Sequence, residues 1–525
     1  MKGFPIPSSK QTKSIDSDTI KQDYVASVDL MEHASKVFSN WFQKKIPVRE
    51  HSIFIFCGSG NNGGDGLAVS RILLENGYKV TAVFWGNPEK CSKDCRINFD
   101  RLKSKDDAKV FVTDKTENIP SIPENSIVID ALLGSGLDRP LEGELEKLIL
   151  KLNSVNATRV SIDIPTGLFS DKTTTGTTFA ADEVLSFEFP KPAFLMPENA
   201  GKISNWDFKS IGLRVSEEMA RQLKNYWLST IYIKSLLKKT NRFSHKGTHG
   251  TAFIIAGQKG FCGAAVLAAK SCLRTGCGLL YAHLPESCLD IVQNSIPEAI
   301  CTTNAGHEFL ESDIFPPEKT TAIGVGPGIG TRYSTARIVK KIIKNAKVPI
   351  VIDADALNII ASKNLMGSVP KNAILTPHPG EFRRLFGKSA NDFEELELQR
   401  KKSVEHSVFI VFKGAFTRIS TPDGMVFFNS SGNPGLAKAG SGDVLTGIIT
   451  ALLARSYSPF EAAAIGVHLH GLAAELAIQH ESVESLLATD VINHIGKAYK
   501  KIRSEKKADE EVTDMIEPPI EFLQK

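Results

Sequence analysis

The chain has 525 residues, 42% hydrophobic and 23% charged, with a formal net charge of +4. That length exceeds one ordinary core and implies two domains or more, and the small charge argues against a dedicated nucleic-acid surface. The segment Met1 to Asp18 is polar, and no run of about 18 apolar residues occurs, so neither a secretory signal nor a membrane span is expected.

In chain order, Asp16 to Phe42 reads as one helix, with Ile20, Tyr24, Leu30, Met31, Ala34, Val37, Phe38 and Trp41 roughly on one face. Ser52–Cys57 reads as a buried strand. It runs into Gly58-Ser-Gly-Asn-Asn-Gly-Gly-Asp-Gly66, then a helix Leu67–Asn76 ended by Gly77, then a strand Lys79–Trp85. This βαβ unit matches G-x-G-x-x-G at Gly58, Gly60 and Gly63. A dinucleotide fingerprint, however, places an acid at the end of the second strand to hold the ribose. Here that strand ends Phe84-Trp85-Gly86-Asn87-Pro88, so an ordinary redox-cofactor site is rejected and the loop is kept as a ligand loop. No Lys-Ser/Thr follows it, so it is not a P-loop.

Further strands are expected at Ala108–Val112, Ser126–Asp130 and Arg159–Ile164. In an open parallel sheet, ligands bind beyond the carboxyl ends of the strands. Three such ends carry Asn62 and Asp65, Asp130, and Asp163 with Thr166. They supply oxygens only, which suits an alkali or alkaline-earth cation; turn capping by Asp130 and Asp163 is the plainer alternative. The set "GNNGGDG … DALLGSGL … DIPTG … FPKP" resembles the NAD(P)H-hydrate epimerase family over about residues 10–212. The resemblance implies a Rossmann-like three-layer sandwich that interconverts the R and S epimers of NAD(P)H hydrate. It implies that Asn61, Asn62, Gly63, Gly64 and Asp65 contact the hydrate, with Gly134, Ser135, Gly136, Leu137, Asp138, Arg139 and Pro140. It further implies that Asn62, Asp130 and Thr166 hold K+ and that Asp163 touches the reacting ring.

Residues Arg214 to Thr230 read as polar and helical with no further strand, and a domain boundary is placed near Tyr226, giving 1–225 and 226–505 with a charged tail at 506–525. The second half again alternates. Strands are expected at Thr251–Ala256, Leu279–Leu284, Thr321–Val325, Ile350–Asp353, Ala373–Thr376 and Val408–Phe412, with helices at Ala264–Arg274 and up to Ala346. It closes on Gly432-Asn-Pro-Gly-Leu-Ala-Lys-Ala-Gly-Ser-Gly-Asp443, followed by apolar residues at helical spacing. A glycine loop feeding a helix N-terminus is an anion site. Asp443 there either faces the ligand or serves only as an N-cap.

The ordered motifs "GPGIG", "DADALN", "TPHPGE", "KGAFT" and "NPGLAKAGSGDVLTG" resemble the ribokinase-like superfamily, and within it the ADP- or ATP-dependent NAD(P)H-hydrate dehydratase family, over roughly residues 230–500. The implied fold is a ribokinase-like α/β domain. By resemblance Lys413, Gly414, Ala415, Phe416 and Thr417, with Gly440, Ser441 and Gly442, hold the adenine nucleotide. Ala264, a glycine of the Gly326/Gly328 turn and His378 touch the hydrate, Asp443 is the catalytic carboxylate, and Glu381 steadies Mg2+ through water. The helix dipole is expected to lower the pKa of Asp443.

The expected function is therefore repair of hydrated nicotinamide nucleotides, with ADP as the favoured donor, AMP and phosphate as products, and homo-oligomeric assembly. A vitamin or sugar kinase with a regulatory first domain is the alternative, and a scaffold whose first domain has lost its chemistry is a third reading. The eight cysteines show no paired C-x-x-C, so reduced thiols in a cytoplasm are expected. His468-Leu-His470 is read as part of a buried helix and not as a metal pair, because i and i+2 face apart.

Overall fold

The computed structural model describes residues 3–23, 26–47, 50–303 and 306–505. Tyr24 and the charged tail at 506–525 lie outside the described residues. The chain forms two compact units, one of Pro5–Leu223 with Ala390–Glu394 and one of the remainder. A short strand, β1 (Phe4–Pro5), edges the second of the two sheets.

The first unit runs α1 (Ser9–Asp23), α2 (Ser27–Lys45), β2 (Ser52–Cys57), α3 (Asn61–Glu75), β3 (Lys79–Trp85), α4 (Lys93–Lys103), β4 (Lys109–Thr113), β5 (Ser126–Ala131), α5 (Gly143–Ser154), β6 (Ala157–Ile162), β7 (Ala181–Phe187), β8 (Ile203–Lys209) and α6 (Glu217–Gln222). Its seven strands pair in the order β4-β3-β2-β5-β6-β7-β8, all parallel. A parallel sheet is covered on both faces, which is why β2 is apolar at nearly every position. Ile53, Ile55 and Cys57 pack with Phe38, Leu67 and Phe99 of α2, α3 and α4. Phe54 and Phe56 pack with Leu148, Ile149 and Leu152 of α5. The three-layer sandwich follows from these two faces. The sheet order reverses between β2 and β5, so the ends of those strands form the crevice where a ligand binds.

Three readings need correction. The helix expected over Asp16–Phe42 is two helices, because the two segments answer to different neighbours. Ile15 of α1 packs on Phe189 and Met219, whereas α2 buries Phe38, Trp41 and Phe42 against the sheet. The helix expected to start at Leu67 starts at Asn61, inside the glycine-rich stretch. A Cβ on Gly63 would lie 1.8 Å from the Gly58 carbonyl oxygen, and one on Gly66 would lie 2.5 Å from the Ala131 Cβ. The glycines therefore serve close helix–sheet packing as much as loop conformation. Finally, a strand at Asn225–Leu228 interrupts the stretch read as strandless, because Tyr226 to Leu228 find a partner near residue 427.

The second unit continues with β9 (Asn225–Leu228), α7 (Thr230–Leu236), β10 (Thr251–Ile255), α8 (Cys262–Thr275), β11 (Leu279–Leu284), α9 (Leu289–Ser295), β12 (Ile300–Thr303), β13 (Ala322–Val325), α10 (Tyr333–Asn345), β14 (Ile350–Ile352), α11 (Ala354–Ser362), β15 (Ile374–Leu375), α12 (Pro379–Phe386), α13 (Asp392–His406), β16 (Phe409–Phe412), β17 (Arg418–Ser420), β18 (Val426–Asn429), α14 (Ser441–Ala454), α15 (Pro459–Ala477) and α16 (Ala488–Ser504). The sheet order is β1-β9-β18-β17-β16-β15-β14-β13-β10-β11-β12. The run from β12 through β10 to β16 is parallel, and β17 is antiparallel to both neighbours. α14 is buried from Val444 to Ala454. It presses on α8 so closely that a Cβ on Gly447 would lie 2.1 Å from the Ala268 carbonyl oxygen. This fixes the N-terminus of α14 beside the carboxyl ends of the parallel strands.

Candidate active sites

In the first unit, the end of β5 carries Asp130, fully buried, and the turn after β6 carries Thr166, also fully buried. Thr166 donates to Asp130 twice, from its hydroxyl to Oδ1 at 2.6 Å and from its amide to Oδ2 at 2.7 Å. Leu132 N–H and the Ser161 hydroxyl donate to the same carboxylate at 3.2 and 3.1 Å. Burial raises the Asp130 pKa, and these hydrogen bonds oppose the rise. Asn62, in the first turn of α3, donates to the Leu133 carbonyl at 3.2 Å, and the Leu133 amide donates to the Thr166 hydroxyl at 3.0 Å. One carboxylate, an amide, a hydroxyl and a carbonyl thus converge. That set fits a hard monovalent cation, which would offset the buried charge. Among the described residues no group of three His, Cys, Asp or Glu converges as metal ligands.

Beside this cluster, Asp163 stands at φ +65°, a left-handed backbone held in place by its surroundings. Its Oδ1 accepts from Phe187 N–H at 3.0 Å and meets Lys191 Nζ at 2.8 Å. Lys191, from the FPKP motif, is only 3% exposed, and nothing in the motif itself implied a role for it. Burial pushes Asp65 well up, reinforced by Asp163, Asp16 and Asp94. Asp16 of α1 is pushed up to about 6 by burial, with Lys191 opposing and Asp163 adding. α1 also brings Lys13 over the glycine turn, where a Cβ on Gly136 would lie 3.1 Å from Lys13 Nζ. No sequence pattern marked Lys13 or Asp16, since both sit on a polar helix far from the motifs. Of the expected contacts, Asn62, Gly134, Asp130 and Thr166 come together. Asn61, Gly136, Asp138, Arg139 and Pro140 are exposed, and the Asp138 carbonyl accepts from Lys172 Nζ at 2.7 Å.

In the second unit the strand ends bring together Gly326 after β13, Asp353 after β14, His378 after β15 and Lys413 after β16. Ala264 and Gly328 are neighbours, since a Cβ on Gly328 would lie 3.0 Å from that of Ala264. Gly326 has φ +131°, and its Cα faces the Asp353 carbonyl, 1.9 Å from where a Cβ would stand. His378 caps α12, its Nδ1 accepting from Gly380 N–H at 3.0 Å, while Glu381 Oε2 accepts from His378 N–H at 2.8 Å. Burial, with Lys413 and Arg384 nearby, lowers the His378 pKa despite Glu381. Lys413 Nζ donates to Asp353 Oδ1 at 2.9 Å and lies 3.8 Å from Glu381 Oε2. Burial disfavours that ammonium, but Asp353 and Glu381 outweigh it and raise its pKa. The turn Lys413–Thr417 is closed by the Thr417 hydroxyl on the Gly414 carbonyl, and Phe416 packs on Trp227 at 5.8 Å between ring centroids.

Gly440, at φ +88°, caps α14 without a side-chain hydrogen bond; the Ser441 amide donates to the Lys438 carbonyl at 3.4 Å, and the first-turn amides of Gly442 and Asp443 have no side-chain cap. Asp443 is thus the third helical residue and not an N-cap. A Cβ on Gly442 would lie 3.3 Å from Lys413 Nζ, so the ammonium stands at the helix N-terminus. The expected lowering of the Asp443 pKa is overturned. Burial pushes it up to about 7, with Asp353, Asp355 and Glu381 adding and Lys413 opposing. Three carboxylates, Asp353, Glu381 and Asp443, act on one lysine and leave an excess of negative charge that a divalent cation would offset. Both Glu381 oxygens face His378, Oε2 accepting from its N–H at 2.8 Å and Oε1 lying 3.4 Å from its Nε2.

Three further residues enter that the sequence reading gave no site role. His470 of α15, buried, places Nε2 3.3 Å from the Ser441 hydroxyl, and burial with Lys413 nearby lowers its pKa to about 4, keeping the ring neutral. Asp353 and Thr446 meet at 2.7 Å. The cysteine reading is corrected for one pair, because Cys262 at the start of α8 forms a disulfide with Cys288, while the other six cysteines are free thiols. The residues are 26 apart in sequence, and only the return of the chain after β11 brings them together.

Residues 252–497 match the NAD(P)H-hydrate dehydratase family, and residues 27–193 match the YjeF-related protein N-terminus family. The chain is similar to the bifunctional NAD(P)H-hydrate repair enzyme Nnr of Moorella thermoacetica, with 31% identity over 92% of this chain and 94% of that protein. It is similar to the protein of the same description from Escherichia coli, with 30% identity over 92% and 91%. An ADP/ATP-dependent NAD(P)H-hydrate dehydratase of Bacillus subtilis, solved with ATP and Mg2+, is 31% identical; the overlap covers 53% of this chain and 98% of that one, with a TM-score of 0.48.

Proposed function

The chain belongs to the bifunctional NAD(P)H-hydrate repair enzymes, with an epimerase domain and a dehydratase domain, and from that premise we propose how its residues divide the work. Residues 1–225 carry epimerisation and 226–505 carry dehydration. ADP is the phosphoryl donor, giving AMP and phosphate, and the protein acts in the cytoplasm as a homo-oligomer.

In the dehydratase unit the hydrate presents a hydroxyl, a poor leaving group. Transfer of a phosphoryl group to that oxygen converts it to phosphate, whose departure restores the ring double bond. Asp443 accepts the hydroxyl proton; a value near 7 makes it a competent base at neutral pH, better matched than a dipole-lowered carboxylate. Lys413 and the first-turn amides of α14 stabilise the transferred phosphoryl by position and charge. Magnesium bound with the nucleotide, steadied by Glu381 through water, supplies further neutralisation. Gly414, Ala415, Phe416 and Thr417 border the nucleotide, with Gly440, Ser441 and Gly442, while Ala264, Gly326, Gly328 and His378 border the hydrate.

In the epimerase unit Asn62, Asp130 and Thr166 hold K+, which supplies a fixed positive charge for the substrate. The hydrate lies along Asn61 to Asp65 and Gly134 to Pro140, and Asp163, paired with Lys191, faces the reacting carbon. The observation that carries the reading is the gathering of Lys413, the N-terminal turn of α14 and a half-buried Asp443 at one sheet edge. The test mixes the full chain with NADH hydrate, Mg2+ and either ADP or ATP and follows the absorbance of restored NADH. Full conversion of both epimers, faster than their spontaneous exchange and with ADP preferred, is expected. No restoration with either nucleotide overturns the dehydratase assignment, and conversion of the S fraction alone overturns the epimerase one.

A further inference from the structure

Asp353 occupies the N-cap position of α11, yet its side chain makes no cap hydrogen bond. An aspartate there ordinarily turns back onto its own helix. This one is 1% exposed and spends both oxygens elsewhere. Oδ1 accepts from Lys413 Nζ at 2.9 Å, and Oδ2 accepts from the fully buried Thr446 hydroxyl at 2.7 Å. Its backbone is pinned as firmly. The Asp353 amide donates to the Val325 carbonyl at 3.0 Å, and Gly326 packs on the Asp353 carbonyl with no room for a side chain. The carboxylate therefore cannot swing back to cap α11 without abandoning a half-buried ammonium. Oδ2 also lies 3.8 Å from where a Cβ on Gly442 would stand, so the chain Thr446–Asp353–Lys413 spans the first two turns of α14.

We propose that Asp353 is a positioning residue for the nucleotide: by binding Thr446 on one side and Lys413 on the other, it aims the Lys413 ammonium at the N-terminal turn of α14, where the phosphoryl group is received. This rests on the dehydratase assignment for the identity of the nucleotide. A lysine on a flexible stem loses affinity for a phosphate when it must be ordered on binding, and a fixed carboxylate removes that cost beforehand. Thr446 holds the carboxylate and touches no ligand itself.

The test compares the full chain with Asp353→Asn and Thr446→Val. The ADP dissociation constant is read by calorimetry with Mg2+ present, and KM for ADP, KM for the hydrate and kcat are read from NADH restoration. Asp353→Asn is expected to weaken ADP binding about tenfold or more, and Thr446→Val about threefold, with KM for the hydrate unchanged. Thr446→Val keeps the buried charges balanced and carries the test if Asp353→Asn does not fold. A folded variant pair with wild-type ADP affinity overturns the inference, as does a loss that falls equally on ADP and hydrate. Wild-type protein that binds ADP without restoring NADH overturns the dehydratase assignment instead, and the calorimetric shift still decides the role of Asp353.

Discussion

At the residue scale Asp443 and Lys191 tell opposite stories about context. The sequence marked Asp443 by its place before an apolar helix, and that was enough to single it out, but its proton affinity depends on burial and on Asp353, Asp355 and Glu381, none of them adjacent in sequence. The dehydratase rate constant kcat/KM is therefore expected to rise with pH through about 7 as Asp443 deprotonates, and Asp443→Asn is expected to lose about a hundredfold or more without unfolding. The same shift has a cost in stability. The folded value of about 7 lies above the ordinary 3.8, so this group's contribution is intact below about pH 4 and is lost as pH rises through 7. Asp443→Asn should then be the more stable protein above pH 7, by about 1 kcal/mol, and should match the wild type near pH 4; urea melts at the two pH values check this. Lys191 is the reverse case, a charge with no spacing signal that proves to be buried against Asp163. Removing it strands a buried carboxylate, so Lys191→Ala should cost about 3–5 kcal/mol in denaturant melts and abolish epimerisation.

At the scale of the element, the glycine-rich stretch after β2 shows how far a motif can be read. Its match to a ligand loop was visible, but the residues Asn61 to Gly66 belong to α3, because glycines here let the helix lie against Cys57, Ala131 and the Gly58 carbonyl. A Cβ on Gly63 would stand 1.8 Å from that carbonyl oxygen, closer than packing allows. Gly63→Ala should lower stability by about 1–3 kcal/mol or more and disturb Asn62, so epimerase activity should fall further than the melting temperature implies. A Gly60→Ala control, with nothing within 4 Å of its Cβ, should leave the melt near wild type. β9 failed to show in the sequence for a related reason: four residues of alternating burial make a strand between β1 and β18, the latter some two hundred positions later.

At the scale of the whole molecule, two sheets with separate crevices imply activities that can be lost one at a time. Asp163→Asn should leave dehydration of the S epimer intact and slow use of the R epimer to its spontaneous exchange, and Asp443→Asn should stop NADH restoration while leaving R/S exchange intact. Replacing K+ by a bulky organic cation should slow epimerisation alone, and Thr166→Val should remove that dependence; a progress curve of restored NADH separates the phases. ADP at about 100 times its Kd should stabilise the unit that binds it by about 2.7 kcal/mol.

The sequence by itself determined the α/β class and the strands β2, β3 and β11, and it placed Asp130, Thr166 and Lys413 at or just beyond strand ends and Asp443 at a helix start. These were legible because periodicity and strand-end motifs are local, and local patterns specify which side chains share an edge. Tertiary structure decided the rest: the break between α1 and α2, the Cys262–Cys288 pairing, the entry of Asp16, Lys191, Asp353 and His470 into the sites, and the upward shift of Asp443. Each of these depends on desolvation or on a partner distant in sequence, and neither quantity exists until the chain has folded.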